Sequence, residues 1–270
     1  MLIAAYNNEA VTFTTNATGT SVIRLAAPQA APYIIFDDLT LDAQGTADSY
    51  GLTLSSASNI RFSRGTIKNA TNYCVYTPNS TNIEVLQSRI TNCVDGFNMG
   101  NTSGALIANN LVYDHSSRGI AVRPGSTNVQ VLFNSVTGMT GVGDRGLNIV
   151  SGAANTTMRN NISFGNATDI LDETGGTVGN IVSDNLTANP FWVNATTPTW
   201  DFHLTYNSTG ALDQGVTMAA VSTDYEGTIR GNPPDKGAYE CSTACIGPPV
   251  PPSVSTPLPA PPHITHFLAR

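Results

Sequence analysis

The stretch NVQVLFNSV at Asn128–Val136 decides the fold, because versions of it recur along the chain. The counterparts are NIRFSRGTI at Asn59–Ile67, NIEVLQSRI at Asn82–Ile90, NTTMRNNI at Asn155–Ile162 and a looser GALIANNL at Gly104–Leu111. Each copy has two apolar positions, a short polar turn and a further apolar position. Nearby Gly-apolar-x-apolar runs read GLTL, GFNM, GIAV and GLNI. A regular period of this kind indicates a repeat architecture.

The spacing and the alternation of the repeat define the fold class. The apolar residues that follow the polar turns are Leu41, Ile67, Ile90, Leu111, Val136, Ile162 and Leu186, which gives spacings of 26, 23, 21, 25, 26 and 24 residues. Within each unit apolar and polar residues alternate with a period of two, which indicates strands. The sequence therefore predicts an all-β protein, a single-stranded right-handed parallel β-helix (solenoid) of about seven to eight coils.

Composition limits the possible partners. Only 11% of the 270 residues are charged and the net charge is -7, so no basic stripe is available for nucleic acid. The chain also lacks an apolar run of about 18 residues that could form a transmembrane segment. A surface covered by Asn, Thr, Ser and Gly rather than by charge favours an extracellular or cell-surface location.

The polar turns are rich in asparagine, which tolerates the left-handed conformation and bonds to nearby backbone. We expect Asn109, Asn134, Asn160 and Asp184 to occupy one equivalent position in successive coils. Their side chains would then form a structural ladder along the stack.

The four cysteines fall into two pairs. Cys241 and Cys245 can close a small disulfide loop or supply two ligands to a metal. Cys74 is expected to point inward from a strand and Cys93 to lie in the loop of the next coil, so a bridge between them depends on the backbone path. Disulfide formation would agree with export.

Three segments are predicted. Residues 1–188 form the coils, residues 189–245 form a C-terminal closing segment, and residues 246–270 form a Pro-rich extended tail or linker. The first residues already read as strand and include neither a signal segment nor a capping amphipathic helix. We therefore expect the N-terminal cap to be missing and the chain either to be a fragment of a longer gene product or to begin at an internal Met.

The closing segment carries the most specific resemblance. NPFWVNATTPTWDFHLTYNSTGALDQGV at Asn189–Val216 and DYEGTIRGNPPDKGAYE at Asp224–Glu240 resemble the end of secreted bacterial parallel β-helix repeat proteins of the pectate-lyase-like superfamily, of the choice-of-anchor type. The resemblance implies the fold and export. It does not decide the chemistry, because the group includes lyases, hydrolases, epimerases and members without known activity. Its Asp, Arg and His residues are expected to form turns and salt bridges that seal the last coil.

A column of loop residues is the best candidate for a site. The positions before the Gly-apolar-x-apolar strands are expected to stack as Tyr50, Asn72, Asp95, Arg118 and Arg145. Further charged groups lie close by in sequence, namely Asp114, His115 and Asp144. In a chain so poor in charge, this clustering is notable.

The outward strand positions beside this column would form a shallow, polar floor. They are expected to be Thr53, Val75, Asn98, Ala121 and Asn148, followed two residues later by Ser55, Thr77, Gly100, Arg123 and Val150. Arginines one coil apart suit uronate carboxylates, because the guanidinium fork binds them in a bidentate manner. The binding residues would be Asp95, Asp114, Asp144, Arg123, Asn98 and Asn148.

Two functions follow from this surface. The first is a secreted or surface β-helix protein that binds polysaccharide or a cell-surface glycan. The second is a polysaccharide lyase or epimerase acting on acidic polysaccharide, in which Arg118 and Arg145 neutralise a carboxylate and His115 or Lys68 acts as the base. No cofactor is certain, although Asp95, Asp114 and Asp144 could instead hold calcium.

A purely structural alternative also remains open. Asp95–Arg118 and Asp144–Arg145 could be ion pairs that neutralise an exposed loop face, each worth about 0.2–1 kcal/mol.

Overall fold

The protein is described by a computed structural model that covers residues 1–5, 9–26, 33–176, 178–194, 196, 198–241 and 245. These residues form 24 β-strands and no α-helix. The described part of the chain therefore contains no helix long and apolar enough to span a membrane. The predicted tail at 246–270 lies outside the described residues.

Three parallel sheets make up the body of the protein. The first sheet contains Leu2–Ala4, Ile34–Asp37, Ser58–Ser63, Thr81–Leu86, Leu106–Ala108, Gln130–Leu132, Thr157–Arg159 and Ile181–Ser183. The second contains Val11–Thr14, Leu39–Asp42, Thr66–Lys68, Arg89–Thr91, Leu111–Tyr113, Ser135–Thr137 and Ile162–Ser163. The third contains Ser21–Ala26, Tyr50–Ser55, Tyr73–Tyr76, Asp95–Met99, Arg118–Val122, Arg145–Ile149 and Thr168–Asp172.

The chain visits the three sheets in turn, so each strand pairs in parallel with the equivalent strand of the neighbouring coil. Seven coils contribute to all three sheets, and an eighth strand extends the first sheet. This confirms the predicted parallel β-solenoid of about seven to eight coils. Fully buried side chains such as Phe62, Phe97 and Leu147 fill the space that the sheets enclose.

The turn that follows each first-sheet strand is made by one left-handed residue in every coil from the second onward. These residues are Asp38, Arg64, Gln87, Asn109, Phe133, Asn160 and Asp184, with φ between 49° and 59°. A single residue of this kind redirects the chain, and Asn and Asp tolerate it better than most. We call this set the corner column.

The asparagine ladder lies one residue further on. Asn110 Nδ2 donates to Asn134 Oδ1 at 3.0 Å, Asn134 Nδ2 to Asn161 Oδ1 at 3.0 Å, and Asn161 Nδ2 to Asn185 Oδ1 at 2.9 Å. The prediction of a single column was therefore wrong. Asn134 belongs to the ladder, whereas Asn109, Asn160 and Asp184 belong to the corner column, because Phe133 takes the left-handed position in its coil.

The same one-residue error affects three of the predicted apolar anchors, namely Leu111, Ile162 and Leu186, the last of which bridges to Ile162. Val112, not Leu111, is paired with Ile90 and Val136 in the second sheet. Likewise Ser163, not Ile162, is paired with Val136. Leu111 and Ile162 instead belong to a separate apolar cluster with residues of the closing segment.

The closing segment lies along the side of the coils. Its short antiparallel strands, Trp192–Asn194 and Asp201–Leu204, contribute Trp192 and Phe202 to the cluster with Leu111 and Ile162. Later residues of the segment contact the corner column. Asp224 O, Thr223 O and Val216 O accept hydrogen bonds from Gln87, Asn109 and Asn160, respectively. The expectation that the segment seals the last coil is thus corrected: it covers several successive coils.

The polar residues of the closing motif have the structural roles expected of them. His203 lies 2.6 Å from Asp201 Oδ1 and 3.3 Å from Glu226 Oε1. Asp224 Oδ1 accepts the backbone N–H groups of Glu226 and Thr228, which closes a turn. These contacts confirm the predicted turns and salt bridges.

Arg230 connects the closing segment to the coils. Its side chain is 3% exposed and lies 3.3 Å from Glu240 Oε2. It also donates to Asn109 Oδ1 at 2.7 Å, and its guanidinium carbon lies 3.9 Å from the centre of the Phe133 ring. Burial lowers the pKa of Arg230 to about 10, although nearby acids, led by Glu240, favour the charged form.

Both cysteine pairs form disulfides. Cys74–Cys93 joins the third-sheet strand of one coil to the loop of the next, and Cys241–Cys245 closes the small loop before the tail. The second pairing uses both thiols, so the alternative of two metal ligands at this place is not realised.

Replacing Asn134 with Ala should lower the free energy of unfolding by roughly 2–3 kcal/mol, because partners on two neighbouring coils lose buried hydrogen bonds. Denaturant unfolding followed by circular dichroism measures this change. Asn207→Ala, at an exposed position of the closing segment, is the matched control. Equal stability of the two variants would contradict a structural role for the ladder.

Arg230→Ala should cost about 3 kcal/mol, because it leaves Glu240 in a buried site without its cation. Limited proteolysis should then cut the closing segment before the coils. Arg64→Ala, which removes an exposed arginine of the corner column, should have little effect. Protection of the closing segment equal to that in the wild type would rule out this role for Arg230.

Candidate functional site

The candidate site lies on the outward side of the third sheet. Backbone register places Tyr73 beside Asp95, Asp95 beside Arg118 and Arg118 beside Arg145. The predicted column is therefore correct for Asp95, Arg118 and Arg145. It is wrong at Asn72, whose place is taken by Tyr73.

In the neighbouring column, too, one predicted residue is wrong by one position. Register aligns Thr53, Tyr76, Asn98, Ala121 and Asn148. Val75 is fully buried and paired with Leu52, so the prediction of Val75 as an outward residue was wrong. In other coils a glycine marks the start of this strand, but Cys74 takes its place here. The outward positions of this coil could therefore not be assigned by counting from a glycine.

Asp95 is the centre of a charged cluster. Its side chain is 1% exposed, and its Oδ2 accepts hydrogen bonds from Arg123 at 2.9 Å and from Asn98 at 3.0 Å. Arg118 Nη1 lies 3.8 Å from Asp95 Oδ1, which makes an ion pair rather than a hydrogen bond. A buried carboxylate needs such partners, so Asp95 positions both arginines.

A second acid positions the next arginine along the axis. Glu173 Oε1 lies 3.8 Å from Arg145 Nε and accepts a hydrogen bond from Asn148 Nδ2 at 3.1 Å. The predicted Asp144–Arg145 pair is not formed, because Arg145 pairs with Glu173 instead. Asp144 accepts the backbone N–H of Gly141 at 2.8 Å and closes a turn.

We call Asp95, Asn98, Arg118, Arg123, Arg145, Asn148 and Glu173 the arginine face. Its three cations are each about a quarter exposed, at 24%, 25% and 25%. Three arginines and two acids leave this face with one excess positive charge, whereas the whole chain carries -7.

Some polar atoms of the arginine face have no hydrogen-bond partner in the described part of the chain. Four buried atoms on it have no hydrogen-bond partner among the described residues, namely Asp95 Oδ1, Arg118 Nε, Arg123 Nε and Asn148 Oδ1. The other such atoms belong to Thr156, Trp192 and Arg230. Unpaired buried polar atoms are unusual in folded proteins, and their concentration here marks the face as a candidate binding surface.

His115 does not belong to this face. It is buried, its Nδ1 accepts the backbone N–H of Cys93 at 3.2 Å, and its Nε2 lies 3.2 Å from Ile90 O. The first contact places the ring proton on Nε2, which donates to Ile90 O. Desolvation lowers the pKa of His115 to about 4, against a smaller opposing effect of these hydrogen bonds, so the ring is neutral at pH 7.

Two further predicted residues lie elsewhere. Lys68 is in the second sheet, 3.4 Å from Asp42 Oδ2. Asp114 Oδ2 accepts a hydrogen bond from Trp200 of the closing segment at 3.0 Å. With Asp114 and Asp144 in these separate contacts and Asp95 between two arginines, the three aspartates do not converge as calcium ligands.

Only one group of three potential metal ligands lies within 4.8 Å among the described residues, and it consists of Cys74, Cys93 and His115. Both sulfur atoms are in the disulfide, so this group does not offer thiolates.

Sequence reasoning placed Tyr50 in the column but missed two other aromatic residues next to the arginine face, Tyr73 and Tyr76. Tyr50, Tyr73 and Tyr76 contact each other, with ring centres 5.2–5.8 Å apart. The run NYCVY at Asn72–Tyr76 was the available signal, but its register could not be assigned without the coil above and below it.

The three sheets and the open outward face define a parallel β-helix protein. A family model described as the right-handed β-helix region matches residues 32–189, which is more than half of the 270 residues. The chain therefore belongs to the right-handed β-helix family. Comparison with curated proteins found no match.

Several solved structures resemble this chain at low identity. Pectate lyase Pel9A is 12% identical, with 89% of this chain and 86% of that chain covered and a TM-score of 0.40. The A-module of mannuronan C-5 epimerase AlgE4 from Azotobacter vinelandii is 16% identical, with coverages of 62% and 66% and a TM-score of 0.36. The Dettilon tailspike protein is 11% identical, with coverages of 70% and 61% and a TM-score of 0.37.

The low pKa of His115 predicts acid sensitivity. Because the folded state disfavours protonation, the His115 contribution is complete above the ordinary pKa of 6.5 and is lost as pH falls towards about 4. The loss should be on the order of 3 kcal/mol. Unfolding free energies measured between these pH values test this.

His115→Gln is the informative variant, since an amide can accept and donate at the same two places without titrating in this range. The variant should show a flatter pH profile than the wild type. Parallel profiles would disprove the assignment.

Proposed function

We propose that the arginine face binds an acidic polysaccharide. The observation that carries this proposal is the placement of Arg118, Arg123 and Arg145 on one outward sheet face, each partly exposed and held by Asp95 or Glu173. Guanidinium groups fixed in this way have lost much of their side-chain freedom before a ligand arrives. Less ordering is then needed on binding.

The charge pattern favours carboxylate-bearing sugars. A guanidinium offers five N–H donors, and the internal contacts use only a few of them. Arg123 gives one nitrogen to Asp95, and Arg118 gives one to Ser117 Oγ at 3.1 Å. The remaining donors suit the planar, bidentate geometry of a uronate carboxylate.

The shape of the surface favours a polymer rather than a compact ligand. Equivalent residues of successive coils are about 4.8 Å apart along the axis. The column from Tyr50 to Arg145 crosses five coils, so it is about 19 Å long. An extended chain lying along the axis would meet an equivalent backbone environment at every step.

The proposal is binding rather than turnover because of where the candidate bases lie. His115 is buried, Lys68 is in the second sheet, and His203 and Lys236 belong to the closing segment. The alternative of a lyase or epimerase needs a proton acceptor beside Arg118 and Arg145. Among the described residues no imidazole or amine supports it at that place.

We also propose that the protein works in an extracellular or cell-surface location. The support is the presence of two disulfides, one joining successive coils and one before the tail. Such bonds persist in oxidising compartments, where acidic polysaccharides are accessible.

The double variant Arg118→Ala/Arg145→Ala should weaken binding to polygalacturonate or alginate by at least tenfold, equivalent to about 1.4 kcal/mol or more. Isothermal titration calorimetry and affinity electrophoresis measure the change. The loss should be smaller at high salt, because the lost interactions are ionic and screened. Unfolding midpoints of the variants show whether the fold is kept.

Arg61→Ala/Arg64→Ala is the matched control. It removes the same charge from the first sheet and the corner column, where Arg61 pairs with Glu84 and Arg64 with Asp37. An equal loss of affinity in both double variants would indicate a general charge effect and would refute the arginine face as the site. Assays of the same mixtures for unsaturated products and reducing ends, with and without calcium, test the enzymatic alternative.

A further inference from the structure

Three tyrosines form a compact aromatic surface next to the arginine face. Tyr50 and Tyr76 are stacked, with ring centres 5.8 Å apart and an interplanar angle of 25°. Tyr73 is packed against both, at 5.7 Å from Tyr50 and 5.2 Å from Tyr76. All three lie on the outward face of the third sheet and are partly exposed. We call them the tyrosine platform.

Two rings of the platform, Tyr50 and Tyr76, form one wall of a cleft whose opposite side is polar. A cavity of about 370 Å³ is lined by Tyr50 and Tyr76 together with Gly19, Thr20, Ser21, Arg24 and Thr53. Ser21 Oγ donates a hydrogen bond at 2.8 Å to Thr53 Oγ1 of the adjacent coil. The cleft therefore combines aromatic rings, hydroxyl groups and one guanidinium.

Arg24 is the least committed cation on this side of the protein. It is exposed, and it lies beside Thr53 in the register of the third sheet. Among the described residues its guanidinium group forms no hydrogen bond or ion pair. In this respect it differs from Arg118, Arg123 and Arg145, each of which lies near an acid.

The platform and the arginine face are continuous. Tyr50, Tyr73, Asp95 and Arg118 are successive members of one backbone column, and Tyr76 is directly beside Asn98 in the next column. A ligand that extends along the axis from the arginines towards the N-terminal coils would reach the tyrosines and then Arg24.

We propose that the tyrosine platform and Arg24 form a sugar-stacking subsite for a uronate unit of the same polysaccharide chain, which rests on the function proposed above. The apolar C–H face of the pyranose ring packs on Tyr50 and Tyr76, and its carboxylate pairs with Arg24. The hydroxyl groups of Ser21 and Thr53 are placed to exchange hydrogen bonds with the sugar hydroxyls. Aromatic rings with a polar tip suit such a ligand, which has one apolar and one wet side.

The test is binding of an oligogalacturonate of about eight units to Tyr76→Ala, Tyr76→Phe and Arg24→Ala, measured by calorimetry. Tyr76→Ala should lower the affinity roughly tenfold, and Tyr76→Phe should keep most of it because the ring remains. Tyr206→Ala, which removes an exposed tyrosine of the closing segment, is the matched control and should have no effect.

Salt separates stacking from charge. The loss caused by Tyr76→Ala should be similar at low and high salt, because packing on a ring is not screened. The loss caused by Arg24→Ala should shrink at high salt, as it does for the arginine face. In the wild type, the oligomer should also change the intrinsic tyrosine fluorescence, and this change should be smaller in Tyr76→Ala.

The outcomes distinguish the two proposals. Normal affinity in both Tyr76→Ala and Arg24→Ala, with reduced affinity in Arg118→Ala/Arg145→Ala, would overturn the subsite and leave the arginine face in place. Absence of oligomer binding by the wild type would overturn both. Because Arg24 is exposed, Arg24→Ala keeps the subsite testable even if Tyr76→Ala does not fold.

Discussion

The parallel backbone hydrogen bonds between successive coils are the interaction on which the rest of the structure depends. A single coil has three short strands and cannot bury its apolar side chains alone, but stacked coils share one core. The left-handed corner column and the asparagine ladder from Asn110 to Asn185 keep consecutive coils in register. The amide groups are suited to this because each can donate to one coil and accept from the other.

Strict stacking turns sequence neighbours a coil apart into spatial neighbours. This is how a chain with only 11% charged residues places Arg118 beside Arg145 and both near acids. Asp95 is costly to bury without partners, and its position between Arg118 and Arg123 meets that requirement. The result is a surface whose charges are held in place by the fold and whose donors are only partly used.

The closing segment explains why the third sheet is the side to consider for binding. Its apolar residues pack against Leu111 and Ile162, and its carbonyl groups satisfy the corner column. These contacts fall on the second sheet and the adjacent corner. The arginine face and the tyrosine platform are on the third sheet, where their rings and guanidinium groups are partly exposed to solvent.

The sequence by itself determined the β-solenoid, the number of coils and the alignment of Asp95, Arg118 and Arg145, because these follow from periodicity and from glycine-marked strands. It could not place Tyr73, Tyr76 or Asn134 correctly. A shift of one residue reverses which side a side chain faces, and only pairing with the neighbouring coils sets that register. Tertiary structure alone decided that His115 is buried, that Glu173 pairs with Arg145 and that the closing segment lies along the coils, since these depend on contacts between residues distant in the chain.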